Sequence, residues 1–407
     1  MNTDVLLEVD SVEAWARLVV VLILSVLVGV GMWSVVVILP AIQADLGLSR
    51  ASASLPYVFT MIGYGVGGVI FGKMADLKGI YPTAVVGVVL LVLGYALSSF
   101  SSGIFFLSAM HGLLIGIGTS STFAPLIAHV SQWFESRKGA AVGVIASGQY
   151  LSGAIWPTLL DSFVEDFGWA GAYRIIAFII LVCALPLTFV LRKKVAYASY
   201  ADSRPKVADN TAFVGSHVFT IVLMLAAFSC CVAMSMPQVH LVAFCSDLGF
   251  GAARGAKMLS VLLAFGVISR LGFGWLSDRL GGLKTLFLGV FLQGVGLVCF
   301  LFADTVASLY VVSAVFGLFQ GGIVPAYALA VREHFPAKVA GEKVGLVMFA
   351  SLAGMAAGGW IPGYLFDATG AYTAAFINGI IWNTVTLVIV GWLFYRLNQS
   401  AIIITSR

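Results

Sequence analysis

The sequence predicts an all-α integral membrane protein with twelve transmembrane helices in two pseudo-symmetric six-helix bundles. Three observations predict this fold: the composition, the spacing of the apolar segments and an internal repeat. Of the 407 residues, 60% are hydrophobic and only 10% are charged. A soluble domain carries roughly 25% charged residues. Because so few charges cannot cover a surface that faces water, the predicted surroundings of the chain are the lipid bilayer.

Twelve apolar segments follow one another along the chain. A spanning helix needs about 20 predominantly apolar residues, and the segments of this kind lie near 17–39, 53–74, 81–99, 104–131, 138–163, 171–191, 213–244, 256–277, 284–302, 306–331, 342–365 and 372–395. The longest connection, RKKVAYASYADSRPKVADNTA, divides them six and six. The predicted domains are therefore an N-terminal bundle at 1–191, a linker at 192–212 and a C-terminal bundle at 213–407.

The basic residues predict the orientation of the chain. With the N-terminus in the cytoplasm, about 17 of the 22 lysines and arginines fall on the inner side, as the positive-inside rule requires. Both termini and the linker are therefore expected to be cytoplasmic. The net charge of +4 is spread over short loops, so it indicates no nucleic-acid partner. The acidic first sixteen residues lack the positive region of a cleavable signal peptide.

Chemistry-bearing clusters are absent from the sequence. The five cysteines all lie in apolar segments without metal-ligand spacing, and they are interpreted as small buried residues. No catalytic triad, metal cluster or nucleotide-binding loop occurs. The glycine-rich GYGVGG and GMAAGG are interpreted as helix-packing faces. The sequence therefore predicts neither an enzyme nor a bound metal or cofactor.

A repeat relates the two halves. GKMADLKG at Gly72–Gly79 and GWLSDRLG at Gly274–Gly281 both fit G-x-x-x-D-x-x-G, about 202 residues apart. FAPLIAHVSQWFESRKGAAVG at Phe123–Gly143 likewise resembles IVPAYALAVREHFPAKVAGEKVG at Ile323–Gly345. Parallel halves related by an axis along the membrane normal are typical of transporters.

With this doubled motif, the whole chain resembles the major facilitator superfamily. The resemblance implies that the motif glycines allow close packing and that its aspartates hold the halves closed on the cytoplasmic side. The first copy has Leu77 where an arginine is common, so the gate is expected to depend more on the second copy. The alternative is that both copies simply end helices. The gate candidates are Gly72, Asp76, Gly79, Gly274, Asp278, Arg279 and Gly281.

Arg270 lies deep in the eighth apolar segment, about seven residues from its predicted cytoplasmic end, or roughly 10 Å. A charge there costs about 2.5 kcal/mol or more unless it faces a wet cavity or a partner. The other apolar segments hold no deep aspartate or glutamate. The planar guanidinium suits a carboxylate bidentately. Arg270 is therefore predicted to bind an anionic substrate; a structural pair with an unrecognised partner or with carbonyls is the alternative.

SRLGFGWLSDRLGG, SQWFESRKGAAVGVIASG and VHLVAFCSDLG resemble the monocarboxylate transporters and the bacterial oxalate–formate exchangers. In both groups an arginine at the place of Arg270 holds the substrate carboxylate. Three departures matter. Gly266 stands where animal monocarboxylate transporters carry an aspartate implicated in proton coupling, Trp33 lies in the region of their helix-1 lysine, and no basic residue between Lys343 and Arg396 supplies the exchangers' second cation. One deep cation favours a monoanion such as lactate or pyruvate over oxalate.

Other polar and aromatic residues are weaker candidates. Histidine can carry a proton near neutral pH, so His240 and His111 are the proton-coupling candidates. The alternative for each is a satisfied polar residue near the outer mouth. For the remaining cavity candidates the alternative is helix packing; these substrate-binding candidates are Tyr327, Thr119, Trp33, Gln149 and Gln320.

The function predicted from these residues is secondary active transport of small monocarboxylates by alternating access, with a proton as the coupling ion. The carrier is expected to be a monomer in a bacterial inner membrane. An organic anion exchanger of the oxalate or formate type is the nearest alternative. A membrane sensor or receptor is less favoured, because the soluble output domain usual in that class is not recognised here.

Overall fold

The computed structural model describes residues 9–135, 137–192, 217–335 and 337–405. Helices are the only regular elements in these ranges, and eleven helical runs are long and apolar enough to cross a membrane. The fifth run, Gly139–Arg192, is 54 residues long. It contains Gly168 at φ 69° and ψ 169°, a conformation outside any helix. Because this glycine divides the run into two crossings, the described residues contain twelve membrane segments, as predicted.

We label the segments α1 to α12. Each predicted segment corresponds to one of them, and most helices extend a few residues beyond the predicted ends. Their bounds are Val12–Leu46 (α1), Arg50–Lys78 (α2), Ile80–Ser98 (α3), Ile104–Val130 (α4), 139–167 (α5), 169–192 (α6), His217–Asp247 (α7), Ala252–Leu280 (α8), Gly282–Phe300 (α9), Val306–His334 (α10), Val339–Thr369 (α11) and Thr373–Arg396 (α12).

The chain divides into two compact units. The first comprises Met1–Ser199 and His240–Ala264, and the second comprises Tyr200–Val239 and Phe265–Arg407. Thus α7 and α8 each contribute to both units. The predicted linker at 192–212 lies outside the described residues apart from Arg192. The domain boundaries predicted from the sequence therefore stay predictions.

Glycines bring helix backbones into contact inside the first unit. A Cβ atom on Gly63 of α2 would collide with the backbone carbonyl oxygen of Gly112 in α4. A Cβ atom on Gly87 of α3 would collide with Ser121, nine residues further along α4. Because lipid offers no hydrophobic drive between helices, close packing of small residues is what holds such contacts.

Gly63→Ala is expected to lower the free energy of unfolding by about 1–3 kcal/mol, because the added methyl group overpacks a backbone contact that cannot yield. The measurement is the melting temperature of the purified protein in detergent. Gly68→Ala is the matched control on the same helix, since a Cβ there meets no atom within 4 Å. Equal melting temperatures for the two variants would contradict the packing role.

The core of the second unit is an apolar cluster from α7, α9, α10, α11 and α12. Fully buried members include Phe219, Leu286, Val347 and Val390. The start of α9 is fixed to the end of α10 by a carboxylate. The N–H of Gly282 donates to both carboxylate oxygens of Glu333, over 3.0 and 2.9 Å. A negative charge at a helix N-terminus is favourable, so Glu333 stabilises the turn that precedes α9.

Candidate functional site

Two membrane segments are broken at matching positions of the repeat. In α10 the helix ends at Gln320 and resumes at Ile323. In α4 it ends at Ser120 and resumes at Ala124, about 200 residues earlier. A proline near the start of each resumed helix suits that position. Interrupted segments in corresponding places of two halves are a pointer to a transporter binding site.

The break in α10 packs directly against α8. A Cβ atom on Gly321 would collide with the carbonyl oxygen of Gly266 and lie 2.9 Å from the Cβ of Ser269. The N–H of Gly322 donates to the hydroxyl oxygen of Ser269 over 3.2 Å. A Cβ on Gly322 would collide with Phe273. The backbones of α8 and α10 therefore touch at the break.

Arg270 lies on the face of α8 that meets this break. Gly266, Arg270 and Phe273 follow the i, i+4, i+7 spacing that places residues on one stripe of a helix, and two of the three contact α10. Because α8 continues to Leu280, Arg270 lies about 15 Å from the helix end at 1.5 Å per residue. Its side chain is half-buried. The predicted deep position of Arg270 thus coincides with a break in the neighbouring helix.

Gln320, the residue before the break, is paired with a glutamine that the sequence reasoning did not single out. The Nε2 atom of Gln238 in α7 donates to Oε1 of Gln320 over 2.8 Å. Both side chains are buried, and Gln238 follows Pro237 within α7. The only sequence signal for Gln238 was its place as a polar residue beside a proline in an apolar run.

Tyr327 is the third candidate from the second unit. It lies in the part of α10 that follows the break. It is fully buried in the apolar cluster that also contains Cys230, Ala227 and Val331. In this conformation the ring is therefore part of the core. Arg270 in α8 and Gln320 in α10 are each the chain neighbour of a residue in the α8–α10 contact.

In the first unit, the structure brings Trp33 and Gln149 together. The indole Nε1 of Trp33 donates to the backbone oxygen of Gln149 over 3.0 Å. The amide of Gln149 is 5% exposed, and among the described residues neither of its polar atoms has a hydrogen-bond partner. Thr119 donates to the carbonyl of Ile115 over 2.7 Å and packs against Gly31. In this conformation its side chain therefore takes part in helix packing.

His111 is held by two hydrogen bonds at the start of a π-helical turn of α4. Its Nδ1 lies 3.0 Å from the Thr60 hydroxyl and its Nε2 lies 2.8 Å from the Tyr173 hydroxyl. Thr60 donates its own proton to the carbonyl of Pro56, so it accepts from Nδ1–H, and Nε2 accepts from Tyr173. This pattern assigns the neutral Nδ1–H tautomer, in which both ring nitrogens are hydrogen-bonded. His240 is fully buried in the part of α7 that belongs to the first unit.

The two copies of the loop motif have similar backbones. Gly79 and Gly281 adopt φ values of 87° and 81°, which favour glycine. The guanidinium of Arg279 lies 4.0 Å from the centre of the Trp275 ring. Asp76 and Asp278 are exposed, and no hydrogen bond or ion pair joins them to other described residues. A Cβ added at Gly72 or Gly274 would meet no atom within 4 Å.

An ion pair between Arg50 and Asp247 joins the start of α2 to the end of α7 inside the first unit. The Nη2 and Oδ1 atoms are 3.0 Å apart, and Arg50 is 5% exposed. In the same unit, a hydrogen bond of 3.2 Å between the hydroxyls of Thr158 and Ser260 connects α5 to α8.

Comparisons with known proteins agree with the twelve-segment membrane fold. The family model described as Major Facilitator Superfamily matches residues 21–304 and 258–402. The chain is 29% identical over 337 residues to Monocarboxylate transporter 13 of Rattus norvegicus, covering 80% of this chain and 75% of that protein. It is 26% identical over 313 residues to Agnestins efflux protein AgnL12 of Paecilomyces divaricatus, covering 77% and 71%. The crystal structure of peptide transporter POT in complex with sulfate aligns with a TM-score of 0.74 over 94% of both chains at 14% identity, a likeness of fold.

Proposed function

Because the chain belongs to the Major Facilitator Superfamily, we propose that it is a secondary active transporter of small monocarboxylates of the lactate or pyruvate type. One observation carries this proposal: Arg270 lies deep in α8 on the face that meets the broken α10. A charge at such a depth is retained where it has a function, and a guanidinium binds a carboxylate through two parallel hydrogen bonds. The similarity to a protein named as a monocarboxylate transporter supports the same substrate class.

The number of deep cations favours a single carboxylate on the substrate. No lysine or arginine lies between Lys343 and Arg396, so most of α11 and almost all of α12 are without a basic side chain. A dianion such as oxalate would leave one carboxylate without a cation to neutralise it. Arg270 is the proposed anchor, and Gln320, beside the α10 break in the same unit, is the candidate second contact. For Tyr327, Trp33, Gln149 and Thr119 a role in substrate binding stays a prediction from the sequence.

Coupling to a proton belongs to the same proposal. An anion neutralised by Arg270 and accompanied by a proton moves without carrying net charge across the bilayer, and the two are coupled if their binding is linked. His240 and His111 are the candidate carriers of that proton. The proposed orientation has both termini in the cytoplasm of a cell with the carrier in its inner membrane, which places the gate residues Asp278 and Arg279 on the cytoplasmic side.

The test is uptake of labelled L-lactate by proteoliposomes, with and without an inward proton gradient. We expect the gradient to accelerate uptake and a proton ionophore to remove the acceleration. Absence of uptake under both conditions would contradict the lactate assignment. Uptake that needs an organic anion inside the vesicles and ignores the gradient would instead identify an exchanger.

A further inference from the structure

Two buried glutamine side chains of the second unit share one hydrogen bond and leave one polar atom each without another. The Nε2 atom of Gln238 donates to Oε1 of Gln320 over 2.8 Å, and the residues are 1% and 0% exposed. Among the described residues, Oε1 of Gln238 and Nε2 of Gln320 have no hydrogen-bond partner. Exchanging oxygen and nitrogen in both amides changes nothing, because the pair still offers one acceptor and one donor.

A buried amide in the same unit provides a fully hydrogen-bonded comparison. Gln293 of α9 is also 0% exposed. Its Nε2 donates to the carbonyl of Cys230 over 3.1 Å, and its Oε1 accepts from the Cys230 thiol over 3.8 Å. Buried polar atoms are normally satisfied in this way, and the exceptions call for an explanation. The Gln238–Gln320 pair is such an exception.

The pair lies beside the α8–α10 contact. Gln320 is the last residue before the break, and the next two residues, Gly321 and Gly322, pack against Gly266 and Ser269 of α8. Arg270 follows Ser269 directly in the chain. A ligand whose carboxylate binds Arg270 is therefore close to the helix break that carries Gln320.

Resting on the proposed function, we infer that the Gln238–Gln320 pair recognises a hydroxyl group on the transported carboxylate, and that the preferred substrates are hydroxy monocarboxylates. A hydroxyl group both donates and accepts a hydrogen bond. It therefore satisfies Oε1 of Gln238 and Nε2 of Gln320 at once, while Arg270 holds the carboxylate.

Related acids satisfy the pair to different degrees. The oxo group of pyruvate only accepts, so it pairs with Nε2 of Gln320 and leaves the carbonyl of Gln238 unpaired. Propionate leaves both atoms unpaired. A site built to hydrogen-bond a substrate hydroxyl discriminates strongly against an analogue that lacks it. The expected order of affinity is L-lactate, then pyruvate, then propionate, with about tenfold or more between the first and the last.

The experiment measures the dissociation constants of L-lactate, pyruvate and propionate for the purified full-length protein, from the shift of its melting temperature. The double variant Gln238→Leu with Gln320→Leu replaces both amides by apolar side chains of similar size, a change that can be nearly neutral for stability. Its affinity for lactate is expected to fall about tenfold, to the level of propionate, while the affinity for propionate is kept. Gln293→Leu is the matched control and is expected to keep the preference for lactate.

Each outcome decides between the two proposals. Equal wild-type affinity for lactate and propionate, or a double variant that still prefers lactate, would overturn the role of the glutamine pair and leave the carboxylate carrier standing. If the wild-type protein binds none of the three acids, the proposed function fails and the inference fails with it. The wild-type order of affinities needs no variant, so a double variant that does not fold leaves the inference open to refutation.

Discussion

Arg270→Gln is expected to reduce the affinity for L-lactate by about 30-fold or more and to abolish measurable uptake in proteoliposomes. Losing one partner of a desolvated charge pair costs about 2–5 kcal/mol, and each 1.4 kcal/mol is a tenfold change in affinity. Glutamine keeps a polar side chain of helix-forming type on α8, so the expected loss reflects the missing charge. The measurements are initial uptake rates over a range of lactate concentrations and the melting temperature of each variant.

Two companion variants separate the charge from the geometry. Arg270→Lys keeps the positive charge but loses the planar fork that binds both carboxylate oxygens, so its affinity is expected to lie between those of the wild type and the glutamine variant. Arg254→Gln removes an exposed arginine from the same helix and is expected to transport like the wild type. Wild-type kinetics in Arg270→Gln would mean that the substrate carboxylate binds elsewhere.

The sequence predicts the membrane segments well because their cause is local. Eleven helical runs of the described residues are long and apolar enough to span a bilayer, and the predicted ends of most segments differ from the observed ends by only a few residues. The prediction that Arg270 is a functional residue has a local cause too, since a charge within an apolar run is costly wherever the helix packs. Neither inference needs to know which helices are neighbours.

The parts that the sequence did not predict depend on contacts between distant residues. Gln238 and Gln320 are 82 positions apart, and Arg50 and Asp247 are 197 positions apart. A lone glutamine in an apolar run is compatible with packing, cavity lining or pairing, and only the fold selects among these. The break at 321–322 could not be predicted from the sequence either, because two glycines within a segment also occur where helices merely pack closely.

The contacts of Gly266 give a structural reason for one difference between this chain and the monocarboxylate transporters that it resembles. Animal monocarboxylate transporters carry an aspartate at this place, and this chain has glycine. The backbone of Gly266 is packed against Gly321 at the α10 break, so α10 occupies the space beside the helix. In this chain the position serves the contact between α8 and α10. Glycine has no side chain that could carry a proton, so the proposed proton coupling requires another group.

Gly321→Ala is expected to raise the KM for lactate about tenfold and to lower the free energy of unfolding by about 1–3 kcal/mol, the usual cost of overpacking. Gly321 has a φ of −60°, so its own backbone accepts alanine and the effect arises only from the contact. The added Cβ would collide with the carbonyl oxygen of Gly266 and lie 2.9 Å from its Cα. Since both atoms are backbone, α10 must move away from the face of α8 that carries Arg270.

The measurements for Gly321→Ala are lactate uptake kinetics and the melting temperature in detergent, with Gly272→Ala as the matched control. Gly272 lies on α8 two residues after Arg270, and a Cβ there meets no atom within 4 Å, so this variant is expected to behave like the wild type. A rise in KM together with a lower melting temperature would tie the substrate affinity to the α8–α10 contact. A loss of stability with unchanged KM would mean that Arg270 holds its position without the seated break, and the binding site would then have to be sought away from α10.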